Sequence, residues 1–394
     1  MIKKVLFVLI IMLPFVKSPA QTLRIGLFSN ITTKATVFSA VQGSYLLSGD
    51  NRAVLTLKEK QNILLVKKGD SVTCICADKQ KYTFKKVKLS HISLNAFFSL
   101  RPIDPSNELH YYDDDLEIYA DLGKLQTINI VDIDNYLAGV VEAEAGNNAL
   151  PEFYKAQVTL CRTYTLSHLD RHNEEGFYLC DGVHCQAYHG KCSGKNAIVD
   201  AARTTHNKVI QDNDSVLITA AFHANCGGET ESAQNVWLIK RNYLAPIKDP
   251  YCQDRNNSRW ERKIPIDQWI KYLISNGFTI NDQISLSLLN NTQFSRKQYY
   301  KIGTDSLTYR KIRNDFQLKS AFFSVEVKNP NIEIHGRGYG HGVGMCQEGA
   351  MQMAVLGYTY EQIINFYYKN VKIIDFSNIN ANKNPTIKVL YTNP

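Results

Sequence analysis

The stretch Asp134-Asn-Tyr-Leu-Ala-Gly-Val-Val-Glu-Ala-Glu-Ala145 decides the fold of the central region, because its apolar residues recur at helical spacing. A second helical pattern runs from Pro151 to about Asp170, and a proline suits the first turn of a helix, where its missing N–H is not needed. Two predicted strands, Leu116–Tyr119 and Thr127–Val131, come before this helix pair. Strands followed by helices indicate an α+β fold.

Upstream of the helix pair, the chain reads as short β-strands rich in β-branched residues and separated by turn residues. They are Leu23–Phe28, Ala53–Leu57, Asn62–Val66 and Ser71–Cys76. We therefore predict a small β-rich N-terminal domain over residues 21–105 and a larger mixed α+β region over residues 106–376. Arg101–Glu108 is the predicted linker, with Gln347–Leu356 and Tyr360–Tyr367 as further helices and residues 377–394 as a peripheral tail.

The N-terminus has the pattern of a secretory signal peptide. Lys3 and Lys4 precede an apolar run from Val5 to Val16, and Ser18-Pro-Ala20 offers a cleavage site. An uncleaved membrane anchor is the alternative, but the run is too short to span a bilayer and contains Pro14. We expect a protein without a stable transmembrane anchor, exported to the periplasm or cell envelope after cleavage near Ala20.

Composition excludes several classes of protein. The 394 residues are 44% hydrophobic and 21% charged, which is unlike a disordered or collagen-like chain. The net charge is +8, and it falls to +5 without residues 1–20, which carry three lysines and no acid. The sequence has no concentrated basic stripe, so a nucleic-acid partner is not expected.

Glu144 is the first candidate for chemistry. It shares a face of the predicted helix with Leu137, Val140 and Val141, and an apolar surrounding raises the pKa of a carboxyl group. A raised pKa suits a general acid that works near neutral pH. The alternative is a glutamate at a helix end that simply reaches water.

The chain has nine cysteines, an odd number that leaves at least one unpaired within the chain. Three of them lie close in sequence to four histidines, and a mixed S/N set of this density suits zinc. These residues are Cys180, Cys185 and Cys192 with His168, His172, His184 and His189.

A glycine-rich segment, His335-Gly-Arg-Gly-Tyr-Gly-His-Gly-Val-Gly-Met-Cys-Gln347, is the third candidate. It matches neither a P-loop nor a dinucleotide-binding fingerprint. Its histidines could bind a metal or line a cleft, and a packed glycine-rich turn is the alternative. Phe222-His-Ala-Asn-Cys-Gly-Gly-Glu-Thr230 adds another glycine pair beside polar side chains.

These motifs together resemble the sporulation stage II protein D (SpoIID/LytB) family over roughly Leu116 to Ile374. The matching stretches occur in the family's order: Asn135–Val141 with Glu144, Lys155–Gln157 with Arg162–Tyr164, Cys180–Gln186, Phe222–His223 with Gly227–Gly228, and His335–Ala350. The resemblance implies a SpoIID-like catalytic region and a lytic transglycosylase that acts on peptidoglycan glycan strands, with a preference for strands stripped of their stem peptides.

The resemblance also implies roles for particular residues. Glu144 matches the catalytic acid, although the flanking Met-Pro of the family is Ala145-Gly146 here, and Cys346 replaces a serine, a near-isosteric change expected to matter little. Arg162 is expected near the acid or on the muramyl carboxylate, with an ion pair to a neighbouring acid as the alternative. The candidates for substrate binding are Tyr136, Gln157, His223, Gly227, Gly228, His335, Gly340, His341, Gly342 and Gln347.

The resemblance further implies a structural zinc ion on His172, Cys180 and Cys185, with His184 either a fourth ligand or a cleft residue. In the implied reaction, Glu144 protonates the glycosidic oxygen and then takes the proton of the muramyl 6-hydroxyl as a 1,6-anhydro ring closes. Two alternatives stay open: a non-catalytic glycan-binding module that stimulates a partner amidase, and a zinc-dependent hydrolase.

Overall fold

The structure is a computed structural model that describes residues 21–194, 196–280 and 285–392, so the predicted signal segment 1–20 lies outside the described residues. The first part of the described chain consists of β-strands with alternating burial, as the sequence predicts. They are β1 (Thr22–Leu27), β2 (Ala35–Gln42), β3 (Tyr45–Gly49), β4 (Arg52–Leu57), β5 (Asn62–Lys68), β6 (Ser71–Cys76), β7 (Lys81–Phe84), β8 (Lys86–His91), β9 (Phe97–Asp104), β10 (His110–Asp113), β11 (Asp115–Asp121) and β12 (Lys124–Asp132).

These strands form two sheets that pack face to face. One sheet has the order β13-β1-β12-β11-β8-β3-β4, in which β13 (Leu179–Cys180) comes from a later segment. The other sheet has the order β10-β9-β2-β5-β6-β7. The ring of Phe38 on β2 lies 5.2 Å from Tyr45 on β3 and 5.0 Å from Phe98 on β9, so aromatic side chains fill the space between the sheets.

The sheets cross the predicted domain boundary at residue 105. Strand β1 pairs along its whole length with β12, so residues from both sides of that boundary share one sheet. The predicted linker is wrong for residues 101–104, which belong to β9 and pair with β2. Pro102 suggests a loop, but it lies at a register irregularity of this pairing, where a strand tolerates a proline.

The helix pair forms where the sequence predicts it. Helix α1 (Ile133–Ala145) begins at Asp132, whose carboxylate accepts the N–H groups of the first turn, and α2 (Pro151–Leu166) follows. The predicted end of α2 at Asp170 is wrong by four residues. The Ser167 hydroxyl and the His168 Nδ1 both hydrogen-bond to the carbonyl of Tyr164, and such local bonds compete with the helical pattern.

The remaining elements complete an α+β fold, which confirms the predicted fold class. They are α3 (Asn196–Thr204), β14 (Lys208–Gln211), β15 (Phe222–His223), α4 (Ala233–Trp237), β16 (Arg259–Pro265), α5 (Ile266–Ser275), β17 (Tyr299–Ile302), β18 (Asp305–Thr308), α6 (Tyr309–Asp315), β19 (Phe323–Lys328), β20 (Asn331–Arg337), β21 (Met345–Cys346), α7 (Gln347–Val355), α8 (Tyr360–Tyr367), β22 (Lys372–Asp375) and α9 (Val389–Thr392).

The elements from β16 to β20 surround a second hydrophobic core, centred on Trp269 and Tyr300, that is separate from the main core. The C-terminal segment, in contrast, joins the main core. Ile387 is fully buried, and the Asn384 side chain accepts the backbone N–H of Leu217, so the expectation of a peripheral tail is wrong. In the part of the chain that the structure describes, no helix has the length and apolarity needed to cross a membrane.

Candidate active site

Glu144 lies in the last turn of α1 with its carboxyl group half-buried. One oxygen, Oε1, accepts the backbone N–H of Ala187 at 2.9 Å. Burial raises the pKa of this carboxyl above its ordinary value, and the Ala187 bond and the nearby His189 offset only part of that effect. A carboxyl in this position keeps its proton to a higher pH than an exposed glutamate and can act as a general acid.

The glycine-rich segment meets this helix end through Gln347, the first residue of α7. The Gln347 amide donates to the backbone carbonyl of Glu144 at 3.4 Å and to the Gln157 side chain at 3.5 Å. Gln157 is fully buried on α2 and donates to the Cys161 sulfur. The structure therefore brings together Glu144, Gln157 and Gln347, which the sequence places in three separate motifs.

Two further residues lie around the acid: Ala187, which the sequence reasoning missed, and His189, which it placed only in the Cys/His set that suits zinc. Ala187 supplies the N–H to Glu144, and His189 lies close enough to lower the pKa of that carboxyl. Ala187 directly follows Gln186, and His189 lies two residues further along the chain. The signal in the sequence that could have found them is their closeness to the predicted metal ligand Cys185.

Two of the three histidines predicted to bind substrate, His223 and His341, lie together at a different place. Strand β15 pairs in parallel with β21, which brings His223 and His341 to a ring separation of 5.5 Å. Trp237 is 5.2 Å from His341 on the other side, another contact that the sequence did not reveal. Burial lowers the pKa of His341 to about 4, so this ring is neutral at physiological pH. His341 also lines a small cavity of about 40 Å³ with Arg310 and Arg313.

His335 does not join either group. It lies on β20, and its ring faces the carboxylates of the same three-stranded sheet, with Glu326 at 3.3 Å and Glu261 at 3.4 Å. These contacts place the ring beside carboxylates of its own sheet, and its role in substrate binding stays a prediction.

The predicted glycines allow backbone segments to pack closely. A Cβ on Gly340 would lie 2.8 Å from the Cβ of His223, and a Cβ on Gly227 would lie 2.7 Å from the Cβ of Arg337. Both glycines, and likewise Gly228 and Gly342, have positive φ angles. This close approach favours the alternative of a packed glycine-rich turn. Gly227 and Gly228 also line a surface pocket of about 280 Å³ beside Arg337.

Arg162 and Tyr136 are not placed to contact a substrate, so their predicted roles are wrong in this structure. Arg162 is only 1% exposed, pairs with Asp134 at 2.8 Å and donates to carbonyls of Ala202 and Thr205. This is the ion pair that the sequence left open as the alternative. Tyr136 is fully buried, with its ring 4.9 Å from Tyr188. Both point into the protein because α1 and α2 are packed against other elements on most sides.

The predicted metal ligands converge on one point. His172, Cys180, His184 and Cys185 each offer a ligand atom, and these atoms lie within 4.8 Å of one another. The Cys185 sulfur is 3.5 Å from His172 Nε2 and 3.7 Å from His184 Nδ1. A tetrahedral zinc site separates its nitrogen and sulfur ligands by about 3.6 Å, so this donor set fits zinc in chemistry and spacing. The other ring nitrogen of His172 faces Glu175 at 2.5 Å, an arrangement typical of zinc-bound histidine.

The fold and this site define a class of α+β protein that has a half-buried glutamic acid at the end of a core helix and a Cys/His cluster beside it. Comparison with known sequences gives the family. The model of the SpoIID family, described as stage II sporulation protein, matches residues 121–211, a range that includes Glu144 and all four residues of the Cys/His cluster.

Individual relatives agree with this match. An uncharacterised protein of Brachyspira hyodysenteriae is 28% identical over 264 residues, which are 66% of this chain and 71% of the relative. Stage II sporulation protein D of Bacillus subtilis is 27% identical over 63% of this chain and 76% of its own length. The amidase enhancer of Bacillus subtilis is 26% identical over 61% of this chain and 40% of its own length. These matches support the similarity of the chain to the SpoIID family.

Proposed function

We propose that this protein is an exported peptidoglycan lytic transglycosylase that uses Glu144 as its acid and base. The observation that carries the proposal is the Glu144 carboxyl itself, which is half-buried, held by the Ala187 N–H and raised in pKa. Similarity to the SpoIID family supports a role on the cell wall.

The proposed reaction needs one carboxyl group. Protonated Glu144 donates its proton to the glycosidic oxygen between N-acetylmuramic acid and N-acetylglucosamine, and that C–O bond breaks as positive charge develops on the muramyl ring. The resulting carboxylate removes the proton of the muramyl 6-hydroxyl, whose oxygen bonds to the anomeric carbon and closes the 1,6-anhydro ring. The Ala187 N–H holds the carboxyl in place during both steps. Gln347 fixes the end of α1 by capping the Glu144 carbonyl.

The Cys/His cluster has a structural role in this proposal. The segment that carries Cys180, His184 and Cys185 continues directly into Ala187, the donor to Glu144. A zinc ion on these three residues and His172 would have four protein ligands, and such a closed site stabilises a fold instead of activating water. The expected result of zinc removal is therefore loss of folded structure, whereas loss of activity in a folded chain would favour a zinc hydrolase.

The decisive experiment replaces the acid with its amide. Purified glycan strands are incubated with the wild-type chain or with Glu144→Gln, and the products are analysed by mass spectrometry for anhydro ends. We expect the wild type to release them and the variant to be slower by about 10²–10⁴-fold, the usual contribution of a general acid–base group. Glu142→Gln is the matched control, since Glu142 is on the same helix but binds Ser193, and it should keep its activity. Equal cleavage by Glu144→Gln and wild type would refute the proposal.

A second candidate function is a non-catalytic partner of a cell-wall amidase. It is supported by the similarity to a protein named amidase enhancer. In this case the wild-type chain binds glycan strands and accelerates an added amidase but releases no anhydro ends, so the same mass-spectrometric assay separates the two functions.

A further inference from the structure

A second group of cysteines lies in the protein core, apart from the Cys/His cluster. Cys226, Asp249, Cys252 and Cys346 each place a ligand atom within 4.8 Å of the other three. All four residues are at most 1% exposed. They come from three separate segments of the chain: the stretch after β15, the loop before β16, and the residue that precedes α7. We call this group the Cys₃Asp cluster.

The spacing of the cluster is closer to a metal site than to a disulfide. The sulfur atoms of Cys226 and Cys252 are 3.3 Å apart, and the Cys226 sulfur is 3.2 Å from an Asp249 oxygen. Ligands around a tetrahedral zinc ion lie about 3.6–3.8 Å apart, so an outward shift of a few tenths of an ångström makes room for the ion. A disulfide requires the sulfurs to approach to about 2.0 Å.

Backbone N–H groups point at the sulfurs. Cys346 accepts the N–H of Cys226 at 3.2 Å and that of Gly349 at 3.4 Å. Cys252 accepts the N–H of Gly228 at 3.2 Å. Such donors stabilise a thiolate more than a neutral thiol, because hydrogen bonds to the charged form favour that form.

Asp249 is the second indication of a bound cation. Its carboxyl group is buried and accepts bonds from the Tyr367 hydroxyl and the Tyr251 N–H, at 2.9 Å each. Among the described residues, no lysine, arginine or histidine forms an ion pair with this carboxylate. A buried carboxylate beside thiols is costly without a positive partner, and a divalent cation shared with the thiolates would supply that charge.

We propose that Cys226, Asp249, Cys252 and Cys346 bind a zinc ion as a second, structural metal site. The three thiols lose their protons on binding and the ion takes their place, so no oxidant or reductant is needed. Four protein ligands complete a tetrahedral shell and leave no position for a substrate. The ion joins the three segments at the start of α7, directly before Gln347, and so fixes the residue that contacts Glu144 and Gln157.

The test uses cobalt(II) as a spectroscopic substitute for zinc in the full chain. The double variant Cys180→Ser/Cys185→Ser removes thiolates of the other cluster, so any remaining thiolate-to-cobalt absorption comes from the Cys₃Asp cluster. We expect this variant to bind one cobalt ion with tetrahedral visible bands and strong near-ultraviolet charge transfer. Adding Cys346→Ser should remove about one third of the charge-transfer intensity, since one of three thiolates is lost. Adding Cys74→Ser, a buried cysteine outside both clusters, should change nothing.

A second measurement covers the case in which Cys180→Ser/Cys185→Ser does not fold. Native mass spectrometry of the wild-type chain should show one zinc ion more than Cys226→Ser/Cys252→Ser. The proposal is overturned if the wild type and Cys226→Ser/Cys252→Ser carry the same number of zinc ions. It is also overturned if folded Cys180→Ser/Cys185→Ser shows no thiolate-to-cobalt charge transfer, or if the intact mass of the wild type reveals a Cys226–Cys252 disulfide.

Discussion

The two ends of the α1–α2 helix pair each carry a buried ionisable group, and the two groups have opposite surroundings. Near the start of α1, Arg162 meets Asp134 at 2.8 Å and is enclosed by backbone carbonyls. At the end of α1, the Glu144 carboxyl accepts the backbone N–H of Ala187, and within the described part of the chain no basic side chain forms an ion pair with it. The two terminal nitrogens of Arg162 find their partners inside the protein, and only its Nε has none among the described residues. The Glu144 carboxyl, in contrast, keeps hydrogen-bonding capacity for a group outside the protein.

This difference separates a structural residue from a candidate catalytic one. A charge whose partners all come from the fold has nothing left to offer a substrate, and its loss affects stability. Burial disfavours the charged form of a carboxyl, so the ionised group destabilises the folded protein. The same effect raises its pKa, which lets the protonated carboxyl act as a general acid. Substitutions at the two ends should therefore have opposite effects.

The largest expected effect on stability is at the Arg162 end. Arg162→Met should lower the free energy of unfolding by about 3–5 kcal/mol, because it removes the buried partner of the Asp134 carboxylate and leaves that charge with only the half-exposed His206. Urea denaturation measures this loss. The double variant Arg162→Met/Asp134→Asn should recover part of it, since the carboxylate that lost its buried partner is no longer charged. A loss below about 1 kcal/mol, the range of an exposed pair, would contradict the structural role.

The next effect concerns the pH dependence of the proposed glycan cleavage. Because the pKa of Glu144 is raised, the protonated acid persists above the ordinary value of 4.5. Cleavage should then fall by up to tenfold per pH unit once the pH exceeds the raised pKa. The measurement is a pH profile of kcat/KM, with Glu142→Gln expected to follow the wild-type curve. A rate that rises through this range would show that Glu144 does not act as the acid.

Local patterns in the sequence were enough to predict many of the elements. Alternation gave β5 and β6 almost to the residue, and the apolar spacing with Pro151 gave the starts of α1 and α2. Glu144 could be singled out because its helical face is a local property. The long-range partners were not predictable in this way, since the pairing of β1 with β12 depends on chain segments about a hundred residues apart.

The same limit explains the errors at the site. Arg162 and Glu144 both follow recognisable motifs, and only the packing of α3 against α2 shows that Arg162 is enclosed. Cys346 was expected to be a minor replacement for serine. Its sulfur instead lies beside Cys226 and Cys252, because β21 pairs with β15 and brings the two segments together.

A smaller effect should appear in the stability of Glu144→Gln. The pKa of Glu144 is raised in the folded protein, so its ionised form costs stability as the pH rises through that pKa. The amide avoids this cost and can still accept the Ala187 N–H. Thermal unfolding at pH 7 should therefore show a more stable variant, and the difference should disappear as the pH falls below 4.5. A variant less stable than wild type at pH 7 would mean that the carboxylate is favourably bound in the fold.

The smallest effect is expected for the other partner of Asp134. His206 Nδ1 lies 2.7 Å from this carboxylate, but its side chain is 44% exposed, in contrast to the 1% of Arg162. His206→Ala should therefore cost no more than about 1 kcal/mol in urea denaturation, and any loss should shrink in high salt, which screens exposed pairs. Arg162→Met and His206→Ala each remove one partner of the same Asp134 carboxylate. The ratio of their losses in the free energy of unfolding therefore compares a buried partner with a half-exposed one. If His206→Ala were as destabilising as Arg162→Met, the burial of Arg162 would not explain the structural role of that end of the helix pair.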